Sequence, residues 1–258
     1  MLLAIDVGNT QTHVGTFRGE ELVDRWRFAT VREATADELA SLLVGLLDLR
    51  HLVLAELEAA IVSSVVPQLT HEYEQLSERY LNGGLMVVGP GVRTGMPIRT
   101  DNPHEVGADR LVNALAAYER FGTACIVVDF GTSTNYDAVS ADGEYLGGVL
   151  APGVEISMEA LSERAAKLPK VDFEPPGEVI GRSTITALQS GLIYGTAGQV
   201  DGVVARMREE LGVEAGAVAT GGLATAIVPF CEEVDEVDEE LTLTGLRLIH
   251  ERNAGEER

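Results

Sequence analysis

The sequence predicts an α/β fold built from two related halves, and two observations carry this expectation. An apolar strand that ends in Asp-x-Gly occurs twice, in AIDVGNT from residue 4 and in IVVDFGT from residue 126, and two further strand patterns follow each copy. After the first three strands, helical and strand patterns alternate along the chain. This order of elements is typical of layered α/β proteins.

In the first half, three strands precede helices that alternate with strands. The apolar spacing after Thr35 predicts a helix, and Glu38 three residues further on completes a capping box. A second helix is expected to begin at Pro67, since proline is favoured in the first helical turn. The predicted strands are LLAIDVG, HVGTFRG, ELVDRWRFAT, EAAIVSSV and GLMVVGP, and the helix EVGADRLVNALAAYERFG closes this half.

The second half repeats the three strands and then becomes mostly helical. Helices are predicted over SMEALSERAAKLP, from about Ser183 to Leu211 and over LTLTGLRLIHER, with a strand at GAVAT between the last two. The acidic segment EEVDEVDEE is expected to be a solvated loop, because like charges at this density repel one another.

The two copies of the turn can be aligned. Placing Asp6 on Asp129 requires an offset of 123 residues (129 − 6) and aligns the glycine and hydroxyl residues that follow, Gly8 with Gly131 and Thr10 with Ser133. We therefore expect an N-terminal half of residues 1–122 and a C-terminal half of residues 123–258.

The composition excludes several classes of partner. The 258 residues include 41 acidic and 19 basic ones, for a formal net charge of −22. No nucleic acid or membrane partner is expected, because this charge strongly disfavours binding to either through a basic face. There are two cysteines and no apolar run of about 18 residues, and the start lacks the pattern of a signal peptide. These features predict a reducing, cytoplasmic location.

Each Asp-x-Gly turn combines groups that bind phosphate and cations. Backbone amides and short polar side chains can hold phosphate oxygens, and the carboxylates of Asp6 and Asp129 can hold the cations that neutralise them. One such turn has a purely structural explanation, because strands often end at these residue types. Two copies instead predict a phosphate site, with the turns facing each other. The expected side-chain donors are Asn9, Thr10, Thr132 and Thr134.

A third glycine turn, TGG at residues 220–222, follows a predicted strand and precedes a predicted helix. Gly221 and Gly222 would let a ligand approach the backbone, and a helix N-terminus favours negative or polar groups. A turn that serves packing alone would have the same sequence. Neither a Walker A loop nor a G-x-G-x-x-G fingerprint occurs, so the folds that carry those motifs are not expected.

The element GADR at residues 107–110 also has two interpretations. An aspartate is favourable in the first turn of a helix because of the helix dipole. A carboxylate is also what a kinase needs to orient an alcohol and accept its proton while the γ-phosphoryl group leaves ATP. The sequence around Asp109 by itself does not choose between them.

Taken together, these motifs resemble the type III pantothenate kinases, within the superfamily of actin, sugar kinases and heat-shock chaperones. The resemblance runs from Leu3 to Asn253 over DVGNT, DNPHEVGADRLVNALAA, DFGTST, LGGVLAPG, AKLP and TGGLA, in the expected order. It implies a duplicated actin-like (ribonuclease H-like) ATPase fold, with mixed sheets flanked by helices and a nucleotide cleft between the halves. It also implies ATP-dependent phosphorylation of pantothenate to 4'-phosphopantothenate, the first step of coenzyme A synthesis.

The resemblance implies a role for each matching residue. Asp109 would be the catalytic base, and Asp129 would bind potassium or ammonium in addition to the catalytic magnesium, for which Asp6 is our candidate ligand, directly or through water. The residues expected to contact ATP are Asp6, Val7, Gly8, Asn9, Thr10, Gln11, Thr12, His13, Thr132, Gly221 and Gly222. Those expected to contact pantothenate are Thr100, Gly107, Ala108, Asp109, Arg110 and Thr184.

Two of these residues have alternative explanations. Thr184 would reach the substrate from the partner subunit, since the family's site lies at a homodimer interface, but it is equally a candidate helix N-cap. His13 is also explained as a half-exposed histidine of a strand.

Three places depart from the family pattern. Family members often have tyrosine at the position of Thr100, threonine at that of Ala165 and Ala-Thr-Thr at residues 133–135. Two other functions therefore stay open at this point. One is a kinase or phosphohydrolase of the same superfamily that acts on another small alcohol or on polyphosphate, and the other is a nucleotide-binding regulator without catalysis.

Overall fold

The computed structural model describes residues 1–89, 92–165 and 168–254. The strands are β1 Leu2–Val7, β2 Gln11–Arg18, β3 Glu21–Ala29, β4 Ala59–Ser64, β5 Leu85–Val87, β6 Cys125–Phe130, β7 Ser133–Val139, β8 Tyr145–Pro152, β9 Gly216–Gly221 and β10 Glu236–Val237. The helices are α1 Ala36–Asp48, α2 Pro67–Tyr80, α3 Ala108–Phe121, α4 Val154–Arg164, α5 Thr184–Ser190, α6 Thr196–Leu211, α7 Ala224–Ile227 and α8 Leu241–Ala254. A π-helical turn, Gly191–Gly195, joins α5 to α6. None of the helices in the described ranges combines the length and apolar character needed to span a bilayer.

The two sheets have the same topology. The strand order is β3-β2-β1-β4-β5 in the first sheet and β8-β7-β6-β9-β10 in the second. In each sheet three consecutive strands pair antiparallel and the remaining two join in parallel. The prediction of a duplicated α/β fold with mixed sheets is therefore confirmed.

The pairing registers show that the two turns differ in length. Asp6 of β1 pairs with His13 of β2, whereas Asp129 of β6 pairs with Asn135 of β7. Seven residues separate the first pair (13 − 6) and six the second (135 − 129), so the first turn is one residue longer.

Beyond the turns, equivalent residues of the two halves are therefore separated by one residue fewer than the two aspartates are. The register of β2 against β3 shifts after Thr16, and that of β7 against β8 shifts after Ala138, an offset of 122 (138 − 16). The predicted equivalence of Thr10 with Ser133 is wrong, because the extra residue of the first turn places Gln11 opposite Ser133.

The chain forms two compact units, and each unit contains more than one segment of the sequence. The first unit contains Met1–Met96, Asn102–Ala116 and Thr242–Arg258, and the second contains Pro97–Asp101 and Ala117–Leu241. The expected division into residues 1–122 and 123–258 concerns the duplicated halves of the sequence and stays a prediction.

The first sheet has helices on both faces. Apolar residues of β1, β2 and β4 form a core with α1 and α2, and α1 begins at the predicted capping box of Thr35 and Glu38. On the other face, α8 packs against α3, where Thr242 Oγ1 donates to Asn113 Oδ1 over 2.7 Å. A Cβ at Gly245 would overlap the backbone of α3, so the glycine allows the two helices to approach closely. This packing places the C-terminal helix in the first unit.

The core of the second unit lies between its sheet and the helices α4, α6 and α7. The acidic segment EEVDEVDEE belongs to this unit, and the prediction that it is only a solvated loop is wrong. It contains the edge strand β10, and its carboxylates pair with two arginines. Arg208 of α6 and Arg120 of α3 supply the positive charge that lets this acidic chain join the sheet.

Candidate active site

The predicted site residues are distributed over both units. Asp6–His13 and Gly107–Arg110 lie in the first unit. Thr100, Asp129, Thr132, Thr184, Gly221 and Gly222 lie in the second. Residues 166 and 167 of the AKLP motif are outside the described residues.

The first Asp-x-Gly turn connects β1 to β2. The amide of Gly8 donates to the carbonyl oxygen of Gln11 over 3.0 Å and so closes the turn. A Cβ at Gly8 would lie 2.9 Å from that oxygen. Asn9, Thr10 and Gln11 are exposed at the tip, whereas Asp6 is half-buried at the strand end. The turn thus presents polar groups to solvent beside a partly shielded carboxylate.

A threonine at the end of β3 supports this turn. The backbone amide of Thr30 donates to the carbonyl oxygen of Thr10 over 2.9 Å, and its hydroxyl donates to that of Gly8 over 2.8 Å. The hydroxyls of Thr12 and Thr30 are 2.9 Å apart. Thr12 itself is only 1% exposed, so its side chain faces the protein interior. Nothing in the predicted motifs pointed to Thr30.

His13 follows the turn in β2 and is half-buried. Burial lowers the pKa of His13 below its ordinary value of 6.5, and the nearby positive charges of Arg27 and Arg25 lower it further. A neutral imidazole is therefore favoured near pH 7.

The second turn connects β6 to β7. The amide of Gly131 donates to the carbonyl oxygen of Ser133 over 3.0 Å, and Gly131 and Thr132 are exposed. Gly153, which precedes α4, packs so closely that a Cβ would overlap the carbonyl oxygen of Thr132. Sequence reasoning missed Gly153 as a site residue, although it ends the LGGVLAPG motif. Thr134 is 1% exposed, so its hydroxyl lies away from solvent, in contrast to the expected donor role.

The structure brings the TGG turn next to the second turn. Thr220 pairs with Asp129 in the parallel ladder, and the amide of Gly222 donates to the carbonyl oxygen of Phe130 over 3.1 Å. Gly221 has φ +91°, and a Cβ there would lie 2.7 Å from Asp129 Oδ1. The glycine therefore leaves space beside the carboxylate. The helix after the turn, α7, has only four residues, so the expected helix-dipole contribution is not supported.

The GADR element forms the start of α3. Asp109 is half-buried in the first turn, and its Oδ1 accepts a hydrogen bond from the amide of Arg110 over 2.9 Å. A Cβ at Gly107 would lie only 2.5 Å from the same oxygen. The glycine therefore permits the carboxylate to fold back over the N-terminus of the helix.

The two outer substrate candidates lie in different surroundings. Thr100 is half-buried near Gly147, and its buried hydroxyl oxygen has no hydrogen-bond partner within the described residues. Thr184 is exposed and is the first residue of α5. The N-cap of this helix is Ser183, whose hydroxyl accepts from the amide of Thr186. The capping explanation of Thr184 is therefore wrong, and its exposure leaves it accessible to a ligand or partner.

Within the described ranges, no group of three or more His, Cys, Asp and Glu side chains is arranged to hold a metal ion. The chemistry that these groups support is binding of a phosphorylated ligand and its cations, with a separate carboxylate at Asp109.

Comparisons with known proteins show which family this chain is similar to. The profile of the type III pantothenate kinase family matches residues 2–206. A type III pantothenate kinase of Myxococcus xanthus (strain DK1622) is 53% identical over 253 residues, which cover 98% of this chain and 99% of the relative. One from Anaeromyxobacter sp. (strain Fw109-5) is 54% identical over 253 residues and covers 98% and 100%.

Among solved structures, the inorganic polyphosphate/ATP-glucomannokinase of Arthrobacter sp. strain KM matches with a TM-score of 0.53 at 15% identity. The match covers 98% of this chain and 99% of that one. At this level of identity the likeness concerns the fold alone.

Proposed function

The chain belongs to the type III pantothenate kinase family, and we propose that it transfers the γ-phosphoryl group of ATP to pantothenate, giving 4'-phosphopantothenate in the first step of coenzyme A synthesis. The match of the family profile to residues 2–206 carries this proposal. The relatives of about the same length, at 53% and 54% identity, support it further.

Asp109 is the catalytic base in this proposal. Its carboxylate accepts the proton of the pantothenate hydroxyl and orients that oxygen towards phosphorus, with Gly107, Ala108 and Arg110 beside the substrate. The half-buried position of Asp109 at the start of α3 supports this role, because packing and the helix backbone limit its movement. Since phosphoryl transfer leaves the protein little covalent work, positioning and charge neutralisation supply most of the catalysis.

ATP binds to the glycine turns. The exposed amides and side chains at Asn9, Thr10 and Gln11 in the first turn and at Thr132 in the second are suitable donors for phosphate oxygens. Gly221 and Gly222 allow the nucleotide to approach the backbone of the third turn.

The two aspartates hold cations that neutralise the phosphates. Magnesium at Asp6 would need a single protein carboxylate, because phosphate and water supply the remaining oxygens. Potassium or ammonium at Asp129 fits the space that Gly131 and Gly221 leave beside its Oδ1, since a Cβ at Gly221 would fill it. These cations would supply charge neutralisation of the transferred group.

A homodimer would cover an apolar surface of the second unit. Several large apolar side chains of β8, α4, α5 and the segment before α5 are exposed, and a partner subunit would remove them from water. They are Leu146, Val149, Leu150, Ile156, Leu161, Val179, Ile180 and Ile185. Thr184 lies next to Ile185, which supports its proposed contribution to a site at the interface. The free thiols of Cys125 and Cys231 support a cytoplasmic location.

Production of ADP from ATP in the presence of pantothenate tests this function directly. We expect ADP release that depends on pantothenate and magnesium and that rises when sodium is replaced by potassium. Release with sugars, glycerol or polyphosphate but not with pantothenate would overturn the proposed substrate. ATP binding without any ADP release would overturn the proposed reaction.

Replacing Asp109 by asparagine tests the catalytic base. We expect kcat to fall by about 10²- to 10⁴-fold, the usual contribution of a positioned general base, while thermal unfolding stays close to that of the unchanged protein. Asp142→Asn, on the exposed turn between β7 and β8, is the matched control and should leave kcat unchanged. Full turnover in the Asp109 variant would remove Asp109 from the proposed role.

A further inference from the structure

We propose that Thr30 is a positioning residue that holds the first Asp-x-Gly turn in the shape that receives ATP. This inference rests on the proposed function, because it assumes that the turn binds phosphate. Thr30 lies directly after β3 and was not part of any motif. Its amide and its hydroxyl donate to two different carbonyl oxygens of the turn, those of Thr10 and Gly8.

The hydrogen bonds around Thr30 have a defined direction. The hydroxyl of Thr30 has one proton, and that proton goes to the carbonyl oxygen of Gly8, 2.8 Å away. The 2.9 Å contact between the hydroxyls of Thr12 and Thr30 therefore requires Thr12 to donate and Thr30 to accept. The result is a chain from Thr12 through Thr30 to the turn backbone.

This chain changes the role expected for Thr12. The sequence resemblance placed Thr12 among the residues that contact ATP. Its side chain is 1% exposed, and its only hydroxyl proton is used in the bond to Thr30. The hydroxyl of Thr12 therefore cannot donate to a phosphate oxygen while the chain is intact. Thr12 supports the turn, and the exposed residues 9–11 are left to contact the nucleotide.

Arg32, two residues after Thr30, makes a second attachment to the same turn. Its Nη2 donates to Asn9 Oδ1 over 3.1 Å. Because guanidinium can only donate, this bond fixes which end of the Asn9 amide faces the arginine. The NH₂ group of Asn9 then points away from Arg32 and stays available to a phosphate oxygen. Arg32 also places a positive charge beside the turn in a chain with a net charge of −22.

The segment 30–32 therefore makes three polar contacts with the turn and a fourth with Thr12 of β2. The two side-chain hydrogen bonds of Thr30 are partly buried, and a hydrogen-bond network of this kind makes the loop that it holds more rigid. A turn that is already ordered loses less conformational entropy when ATP binds. We therefore expect the effect of Thr30 to be found in ATP affinity, with pantothenate affinity unaffected.

Steady-state kinetics of Thr30→Val and Thr30→Ser test the inference. Valine keeps the shape and removes the hydroxyl, whereas serine keeps the hydroxyl and removes the methyl group. For Thr30→Val we expect the KM for ATP to rise on the order of ten-fold, because the hydroxyl's bond to Gly8 and the bond that it accepts from Thr12 are both lost. The KM for pantothenate should not change, and Thr30→Ser should restore the ATP value to within about two-fold.

Thr16→Val is the matched control. Thr16 lies on β2 near Thr12, is fully buried, and its hydroxyl oxygen has no partner within the described residues. The same substitution there should leave both KM values unchanged. An unchanged ATP KM in Thr30→Val would overturn the inference, as would a Thr30→Ser variant as impaired as Thr30→Val.

Two measurements keep the test decisive if a variant is unstable or the proposed function fails. Arg32→Met changes only an exposed side chain and should raise the KM for ATP by a few-fold, because Asn9 loses its orientation. Calorimetric titration with ATP and magnesium in the absence of pantothenate reports the same effect as a change in Kd. If the unchanged protein produced no ADP with pantothenate, the reaction would be refuted while the titration still tested Thr30. Equal ATP Kd values for all variants would refute the role of Thr30.

Discussion

In the first unit, hydrogen bonds hold the turn between β1 and β2, with the hydroxyl and the amide of Thr30 donating to Gly8 and Thr10. In the second unit, backbone packing holds the turn between β6 and β7, with Gly153 and Gly221 set against it where a Cβ would overlap or crowd the chain. The strands around the turns have the same order and directions in both units. Topology alone therefore does not decide how a turn is supported, and the two turns should respond to different substitutions.

The edge strands of the two sheets differ in a related way. In the first sheet β5 joins through three apolar residues, LMV. In the second, β10 has two residues inside an acidic segment and depends on arginines. Arg208 donates to Glu233, Asp235 and the carbonyl oxygen of Ala215. Charge pairing thus adds to apolar packing at this edge, where Val237 of β10 packs against the core.

Among the substitutions that compare the two units, the largest effect is expected from Gly153→Ala. The added Cβ would overlap the carbonyl group of Thr132, so the second turn or the start of α4 must move. We expect the free energy of unfolding to fall by about 3 kcal/mol or more. We also expect kcat/KM for ATP to fall on the order of 10²-fold, since a displacement of about 1 Å is enough for such a loss. Urea unfolding and steady-state kinetics measure the two effects.

The equivalent substitution in the first turn sharpens the comparison. A Cβ at Gly8 would meet one atom at 2.9 Å, so Gly8→Ala should cost only about 1 kcal/mol of stability. Gly45→Ala, on the exposed side of α1 with open space around it, is the control and should raise stability by about 0.5–1 kcal/mol. A larger loss of stability in the Gly8 variant than in the Gly153 variant would contradict the proposed difference between the turns.

A moderate effect is expected from Arg208→Met. The substitution keeps much of the apolar stem and leaves Glu233 and Asp235 without their cation, so we expect the free energy of unfolding to fall by about 1–3 kcal/mol. Hydrogen exchange should increase first at β9 and β10, because these strands lose their support.

Arg79→Met in the first unit is the matched control for charge pairing. Arg79 and its partner Asp37 are 52% and 62% exposed, and exposed pairs contribute little. We expect a smaller change than for Arg208→Met. Equal losses in the two variants would mean that the pairing at β10 has no special role.

The smallest effect is expected from His13→Asn, which gives the first unit the residue that the second has at the equivalent position, Asn135. Burial and nearby arginines lower the pKa of His13 in the folded protein. The unfolded chain therefore binds more protons, and the stability from this group is fully present above pH 6.5 and is lost as the pH falls through 6.5 towards the lower folded pKa. The variant should lose less stability between pH 7.5 and pH 5.5.

Urea unfolding at the two pH values measures this difference. His51→Asn is the control, because His51 is exposed and has φ 59°, a conformation that asparagine adopts readily. Its loss of stability between the two pH values should match that of the unchanged protein. If the His13 variant lost as much stability between the two pH values as the unchanged protein, the lowered pKa of His13 would be ruled out as a cause of that loss.

Several features could be predicted from the sequence because they depend on local patterns. The capping box at Thr35, the helix start at Pro67 and the duplicated strand order are confirmed. The resemblance to type III pantothenate kinases is also confirmed by family membership. Capping, turn formation and apolar periodicity involve residues a few positions apart, so they can be recognised without a structure.

The sequence by itself thus determined the class of fold, the family and the positions of the three glycine turns. Only the tertiary structure decided that α8 packs in the first unit, that Thr30 supports the first turn and that Gly153 supports the second. It also decided that an acidic segment forms a strand beside Arg208. These contacts join residues far apart in the chain, and their formation depends on space and charge that become defined only when the strands and helices have packed.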